Sequence, residues 1–239
     1  EGSFGTILIP PQGNSTISAV LALEKEEILV ADRKIEVGEK IFPPGTLILS
    51  SASRSGIEEA CRQTGIKAYG VSEDIATGRK LRLPRIGFYS GWFTTQDPGW
   101  ARWALDAIGL PWEWIDKDRA KKGNLNADFD LIIVPHHGSW ASGLSYLRGI
   151  DSRHSPLDYQ QSDEFEFLGF PIASEDITGG LGLEGVSGIE RFVNEGGVLV
   201  TLGSGSRLVT DFGLLPGVST SPSGGLVCPG TLVSGWIRQ

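Results

Sequence analysis

The apolar positions of this chain change rhythm along its length. In the first 75 or so residues, short apolar runs alternate with one-sided helical patterns. "TILIP" (6–10) reads as a strand, and "NSTISAVLALEKE" spaces Ile17, Val20, Leu21 and Leu23 near a helical period, with Asn14 or Ser15 as N-cap. "EILVA" and "TLILS" are further strands, the second introduced by the turn "PPG" at 43–45. "SGIEEACRQTG" puts Ile57, Ala60, Cys61 and Thr64 on one helical face, with Gly65 as a left-handed cap, and "KAYGV" follows as a strand. These patterns predict a small α/β unit over 1–75. Residues 73–83, "EDIATGRKLRL", are charged and lack apolar periodicity, and a linker is expected there, over 76–83.

From residue 84 the pattern becomes that of a parallel sheet. "PRIGFYS" is a nearly continuous apolar strand of the kind covered on both faces. "QDPGWARWALDAIGL" then offers Asp97 as N-cap, Pro98 at the first helical position and Gly109 as stop. "PWEWID" and "FDLIIVP" are the next strands, joined by the short helical "DKDRAKKGNLN". "EGVSGIERFVNEGG" places Val186, Ile189, Phe192 and Val193 on one face before "VLVTLG". Such alternation predicts a three-layer, mostly parallel α/β domain of Rossmann-like or flavodoxin-like type over 84–239, with sheet strands at 85–90, 111–115, 130–135 and 198–203. The weakly patterned stretch 136–178 is long enough to be expected functional, in contact with a partner, or mobile.

Lys+Arg 21 against Asp+Glu 29 gives a net charge of −8, with no basic run to track phosphates, so nucleic acid is not an expected partner. No apolar run approaches the roughly 18–20 residues that span a bilayer. The chain begins at Glu1, has no Met, and stops at "GTLVSGWIRQ", which resembles the start of a strand. Part of a longer polypeptide is therefore expected, with the second domain cut at its C-terminus. Cys61 and Cys228 are the only cysteines, which excludes a disulfide scaffold and a multi-Cys zinc site, while one long-range bridge between them stays open.

Among possible chemistries, metal binding has little to stand on. His136, His137 and His154 form no His-x-x-Glu or His-x-x-x-His pair. His136–His137 does follow an apolar strand, where loops of open α/β sheets meet ligands. "GGLGLEGVSG" (179–188) opens a helix and resembles an anion-cradling loop, yet it lacks both the dinucleotide spacing and the P-loop Lys, so a flexible connection is the expectation. Asp163, Glu164 and Glu166 read as a solvated acidic face. The turn in "GGVLVTLGSGSRLV" (196–209) has the shape of a nucleophile elbow, but Ser204 lacks the flanking glycines of Gly-x-Ser-x-Gly and Gly203 stands where an elbow Cys would. The turn is expected to be vacated, with the Ser204 hydroxyl capping the next helix. Ser204 with His136 or His137 remains the alternative catalytic pair. A ligand pocket would draw on Trp92, Asp97, Trp100 and His137, whose aromatic faces suit peptide or sugar groups.

The order "DLIIVP", Gly-containing loop, helix, "GGVLVTLGSGS" resembles the second half of a class I glutamine amidotransferase-like domain. That resemblance places an oxyanion-hole glycine in the His136–Gly138 loop and the catalytic Cys at Gly203, and its His-x-Glu has no counterpart after Gly203. "PRIGFYSGW", "DPGWARWALDAIGLPWEWID", "GGLGLEGVSGIERFVNEGGVLVTLGS" and "FPPGTLILS" together are similar to the C-terminal region of large bacterial zinc carboxypeptidases of the carboxypeptidase A class. The resemblance implies a secreted or periplasmic parent, with zinc held by an upstream peptidase domain and no cofactor in this region. A non-catalytic, ligand-binding accessory region is the leading expectation. A hydrolase or acyl transferase, and a structural module packed on the peptidase domain, are the alternatives.

Overall fold

The computed structural model describes residues 5–165 and 169–218. The first unit is built on strands β1 (Thr6–Ile9), β2 (Leu29–Val30), β5 (Leu47–Ser50), β6 (Tyr69–Val71) and β7 (Arg79–Lys80), in the order β6-β1-β5-β2-β7. Every pairing is antiparallel. A separate hairpin joins β3 (Ile35–Val37) to β4 (Lys40–Phe42). The two-residue period of a strand divides "TILI" between two cores. Ile7 and Ile9 pack with Ala19, Leu23, Ile57 and Ala60 from helices α1 (Asn14–Ala22) and α2 (Arg54–Thr64), while Leu8 faces Phe42, Ile48 and Val71.

Gly65 closes α2 at φ 69°, as expected. The start of α1 differs from expectation. Its N-cap is Gly13, and the Thr16 hydroxyl reaches back to accept from the Gln12 N–H, so Asn14 and Ser15 already lie inside the helix. Part of the stretch expected to be a linker belongs to the sheet. Arg79–Lys80 pairs with β2, and the Leu81 N–H continues the ladder to the Ile28 carbonyl. Backbone pairing does not need an apolar side chain, so a charged edge strand left no periodicity to read.

The second unit carries four parallel strands, β8 (Ile86–Tyr89), β9 (Glu113–Ile115), β10 (Leu131–Val134) and β11 (Val198–Thr201), in the order β11-β10-β8-β9. All four fall within the expected segments. One face carries the main core, where Tyr89, Ile132 and Val134 meet Ala120, Val186, Ile189 and Phe192 from α4 (Lys117–Lys122) and α6 (Gly182–Asn194). The opposite face carries Phe88, Trp112 and Trp114, and Arg102 of α3 (Gln96–Ala107) lies over the Trp114 ring at 5.4 Å.

Two helix details are corrected. Thr95 is the N-cap of α3, which puts Asp97 and Pro98 inside its first turn. Val193 lies on the exposed side of α6 although Val186, Ile189 and Phe192 are buried. Among its described residues, the 136–178 stretch holds the short helix α5 (Gly143–Arg148) and 3-10 turns at Ser152–His154 and Asp163–Phe165, and bridges tie Tyr159 to Ser174 and Ile150 to Thr178 and Gly179.

Candidate functional site

Strand β8 lies between β9, the next strand in the chain, and β10, the one after. The chain thus reverses direction across the sheet at β8 and β10, and the loops leaving their carboxyl ends flank a switch point where open α/β sheets bind ligands. Those loops carry Ser90–Phe93 and Pro135–Gly138, and the loop leaving β11 adds Leu202–Ser204.

His137 is fully buried there. Its Nε2 accepts the Gly91 N–H at 3.2 Å, so this nitrogen carries no proton in the neutral ring. The proton sits on Nδ1, 2.9 Å from the Pro135 carbonyl and 3.1 Å from the Tyr146 hydroxyl. Rings of Tyr146 and Phe93 stand 5.1 and 5.3 Å away. Burial pushes the imidazole pKa down to about 4 despite the opposing bond to Pro135, and His136 nearby adds to the depression. Burial also raises the Tyr146 phenol, which the Ser204 hydroxyl partly opposes. His137 is a neutral bridge between the β8 and β10 loops.

Gly203 turns at φ 53°, the left-handed conformation of a tight strand-to-helix turn. A Cβ added there would stand 2.5 Å from Nδ1 of His136. That Nδ1 accepts the Ser204 backbone N–H at 3.0 Å. The Ser204 hydroxyl accepts the His137 N–H at 2.9 Å, across the two loops. The expected helix-capping role is therefore corrected: Ser204 ties the β11 loop to the β10 loop, and the Ser206 hydroxyl instead donates to the Gly203 carbonyl at 2.8 Å. The imidazole that reaches Ser204 is engaged with its backbone N–H, an arrangement that does not poise a base to take the hydroxyl proton. Gly203→Ala should lower unfolding free energy by about 2 kcal/mol, from the left-handed φ and the displaced His136 ring. Urea denaturation measures this directly.

The expected ligand residues do not gather in one open pocket. Trp92 is buried beneath Phe170 and Tyr159, at ring distances of 4.6 and 5.6 Å. Trp100 is 66% exposed, and its ring neighbour is Trp103 on the outer side of α3. Asp97 is half-buried in the first turn of α3. Sequence reasoning missed Tyr146, Gly91 and Phe93, which surround His137. Tyr146 sits on a helix of only six residues, too short to show a period.

Close backbone packing accounts for Gly180 and Gly188 of the Gly-rich 179–188 stretch. Gly180 lies against the backbone of α5, and the Leu181 N–H donates to the Tyr146 carbonyl at 2.9 Å. Among the described residues no group of three or more His, Cys, Asp or Glu is arranged to hold a metal, and no helix is long and apolar enough to cross a membrane. His154 lies exposed on a short 3-10 turn. Cys61 is half-buried on α2, its thiol pKa raised by burial and by Glu58. Cys228 and Glu166 lie outside the described residues. No family model, curated protein or solved structure matches the chain.

Proposed function

We propose that this chain is a non-catalytic, ligand-binding accessory region built on an amidotransferase-like α/β domain whose elbow has lost its nucleophile. The observation that carries this reading is the apex of the turn. Gly203 has no side chain to react, the His136 ring fills the space one would occupy, and the His136 imidazole is spent on a backbone N–H. The strand order supports a flavodoxin-like assignment: counted within the second unit, β9-β8-β10-β11 runs second, first, third, fourth. By the sequence resemblance, the region follows the peptidase domain of a secreted or periplasmic zinc carboxypeptidase, and the metal belongs to that domain. His136 and His137 do not fit a zinc site, because His137 has both nitrogens bonded within the protein and His136 directs Nδ1 at Ser204.

The test is a panel of ester and amide substrates, glutamine included, on the protein and its Ser204→Ala variant. No turnover is expected from either. The substitution should lower stability by about 1–2 kcal/mol, because the His137 N–H loses its acceptor. Turnover that vanishes in the variant while its fold stays intact would establish a working Ser204 and overturn the proposal.

A further inference from the structure

Three N–H donors in the second unit are buried and have no hydrogen-bond partner among the described residues: Trp92 Nε1, Trp114 Nε1 and Arg102 Nε. Such groups are costly to leave unpaired. They share one neighbourhood. Phe170 packs on Trp92 at 4.6 Å and on Trp114 at 5.9 Å, Arg102 lies over Trp114 at 5.4 Å, and Arg102 Nη2 donates to the carbonyl of the adjoining Gly169 at 3.1 Å.

The charge balance is as uneven as the hydrogen bonding. Burial works against the Arg102 cation, which makes none of the described salt bridges; Asp106 and Tyr159 favour it through space. The Asp106 carboxylate, one turn along α3, instead accepts from Trp112 Nε1 at 2.8 Å. Among the described residues no carboxylate is hydrogen-bonded to these donors, and the rings around them are aromatic.

We propose that Trp92, Trp114 and Arg102 form a binding site for the carboxylate of an aromatic or apolar acid, with Phe170 occupying the place of the ligand's apolar body. An indole N–H and the Nε edge of a guanidinium are donors only, so the ligand must bring acceptors. A planar two-oxygen group suits one guanidinium. A phosphate dianion would carry twice the charge into a site with one cation, on a chain of net charge −8. The inference rests on the reading of this region as a ligand binder and names the class of ligand.

Benzoate, the isosteric neutral benzamide and inorganic phosphate are titrated into the protein and its Phe170→Ala variant, with calorimetry and tryptophan fluorescence as readouts. Benzoate should saturate the Phe170→Ala variant, whose ring is gone, and bind the parent about tenfold more weakly, because Phe170 must first leave the place that the ligand's ring takes. Benzamide should bind at least about tenfold more weakly than benzoate, and Arg102→Gln should bring benzoate down to that level. Phe170→Leu replaces Phe170→Ala if circular dichroism shows that the alanine variant is unfolded. Equal binding of benzoate and benzamide would mean an apolar cavity alone. Phosphate competing as well as benzoate would assign the wrong anion. No saturation by benzoate in any protein would mean that the donors serve only water. Each of these overturns the site without touching the turnover panel, and turnover in that panel would leave this binding result standing.

Discussion

As pH falls from about 6.5 to about 4, the protein should lose about 3 kcal/mol of stability through His137 alone. In the folded chain the imidazole is neutral, its Nε2 occupied by the Gly91 N–H and its ring enclosed by Phe93, Tyr89 and Tyr146. Protonation there would put a second N–H against a donor and a charge among aromatic rings. In the unfolded chain the same imidazole takes its proton at the ordinary histidine pKa. The sign follows from the depressed folded value: the full contribution is present above about 6.5, falls through the window, and is gone near 4. Denaturant titrations at pH 7 and pH 4.5 measure the loss. His137→Gln keeps an acceptor for Gly91 and removes the titrating ring, so it should be less stable at pH 7 and much flatter with pH. Carboxylates held low by hydrogen bonds, such as Asp130 at about 2, lose their contribution as pH falls from the ordinary carboxylate range toward that value, at the acid end of this window and below it. If the variant lost stability with the same slope as the parent, the buried neutral histidine would be wrong.

The parallel sheet was legible because strands buried on two faces must be apolar throughout, as "IGFY" and "LIIV" are. Gly65 and Gly203 were legible for a different reason, since a left-handed turn admits few other residues. Helix starts were less so. Asn14 looks like a cap by residue type, but the cap is fixed by backbone geometry at Gly13 and by the Thr16 hydroxyl on Gln12. The site was legible in its turn and illegible in its bonds. Ser204 finds its partner 67 residues back in the chain, at the His137 N–H, and no local spacing encodes that pairing. His137 read as a residue of an open ligand pocket because it follows an apolar strand in a loop. Its burial is decided by Tyr146 and Phe93, which reach it from α5 and the β8 loop.

Gly180→Ala should destabilise the fold by about 3 kcal/mol or more, although it adds one methyl group in a loop. The stretch 179–181 runs along the end of α5. A Cβ at Gly180 would meet the Tyr146 carbonyl at 2.5 Å, the Gly149 nitrogen at 2.6 Å and the Leu147 carbonyl at 2.7 Å. All three are backbone atoms, so no side chain can rotate aside, and the two segments must separate. Separation costs the bond from the Leu181 N–H to the Tyr146 carbonyl, one of the orphan acceptors at a helix end. It also loosens Tyr146, which encloses His137, so the variant should show a weaker dependence on pH between 6.5 and 4. Gly99→Ala is the control. Its new Cβ would lie 3.7 Å from Arg102 Nη2, an ordinary contact, at a half-buried position of α3, where alanine should stabilise by about 0.5–1 kcal/mol. Urea midpoints of the two variants at pH 7 test the steric argument. If the glycines of 179–188 served an anion instead, Gly180→Ala would keep its stability and lose phosphate affinity, which separates a packing glycine from a cradling one.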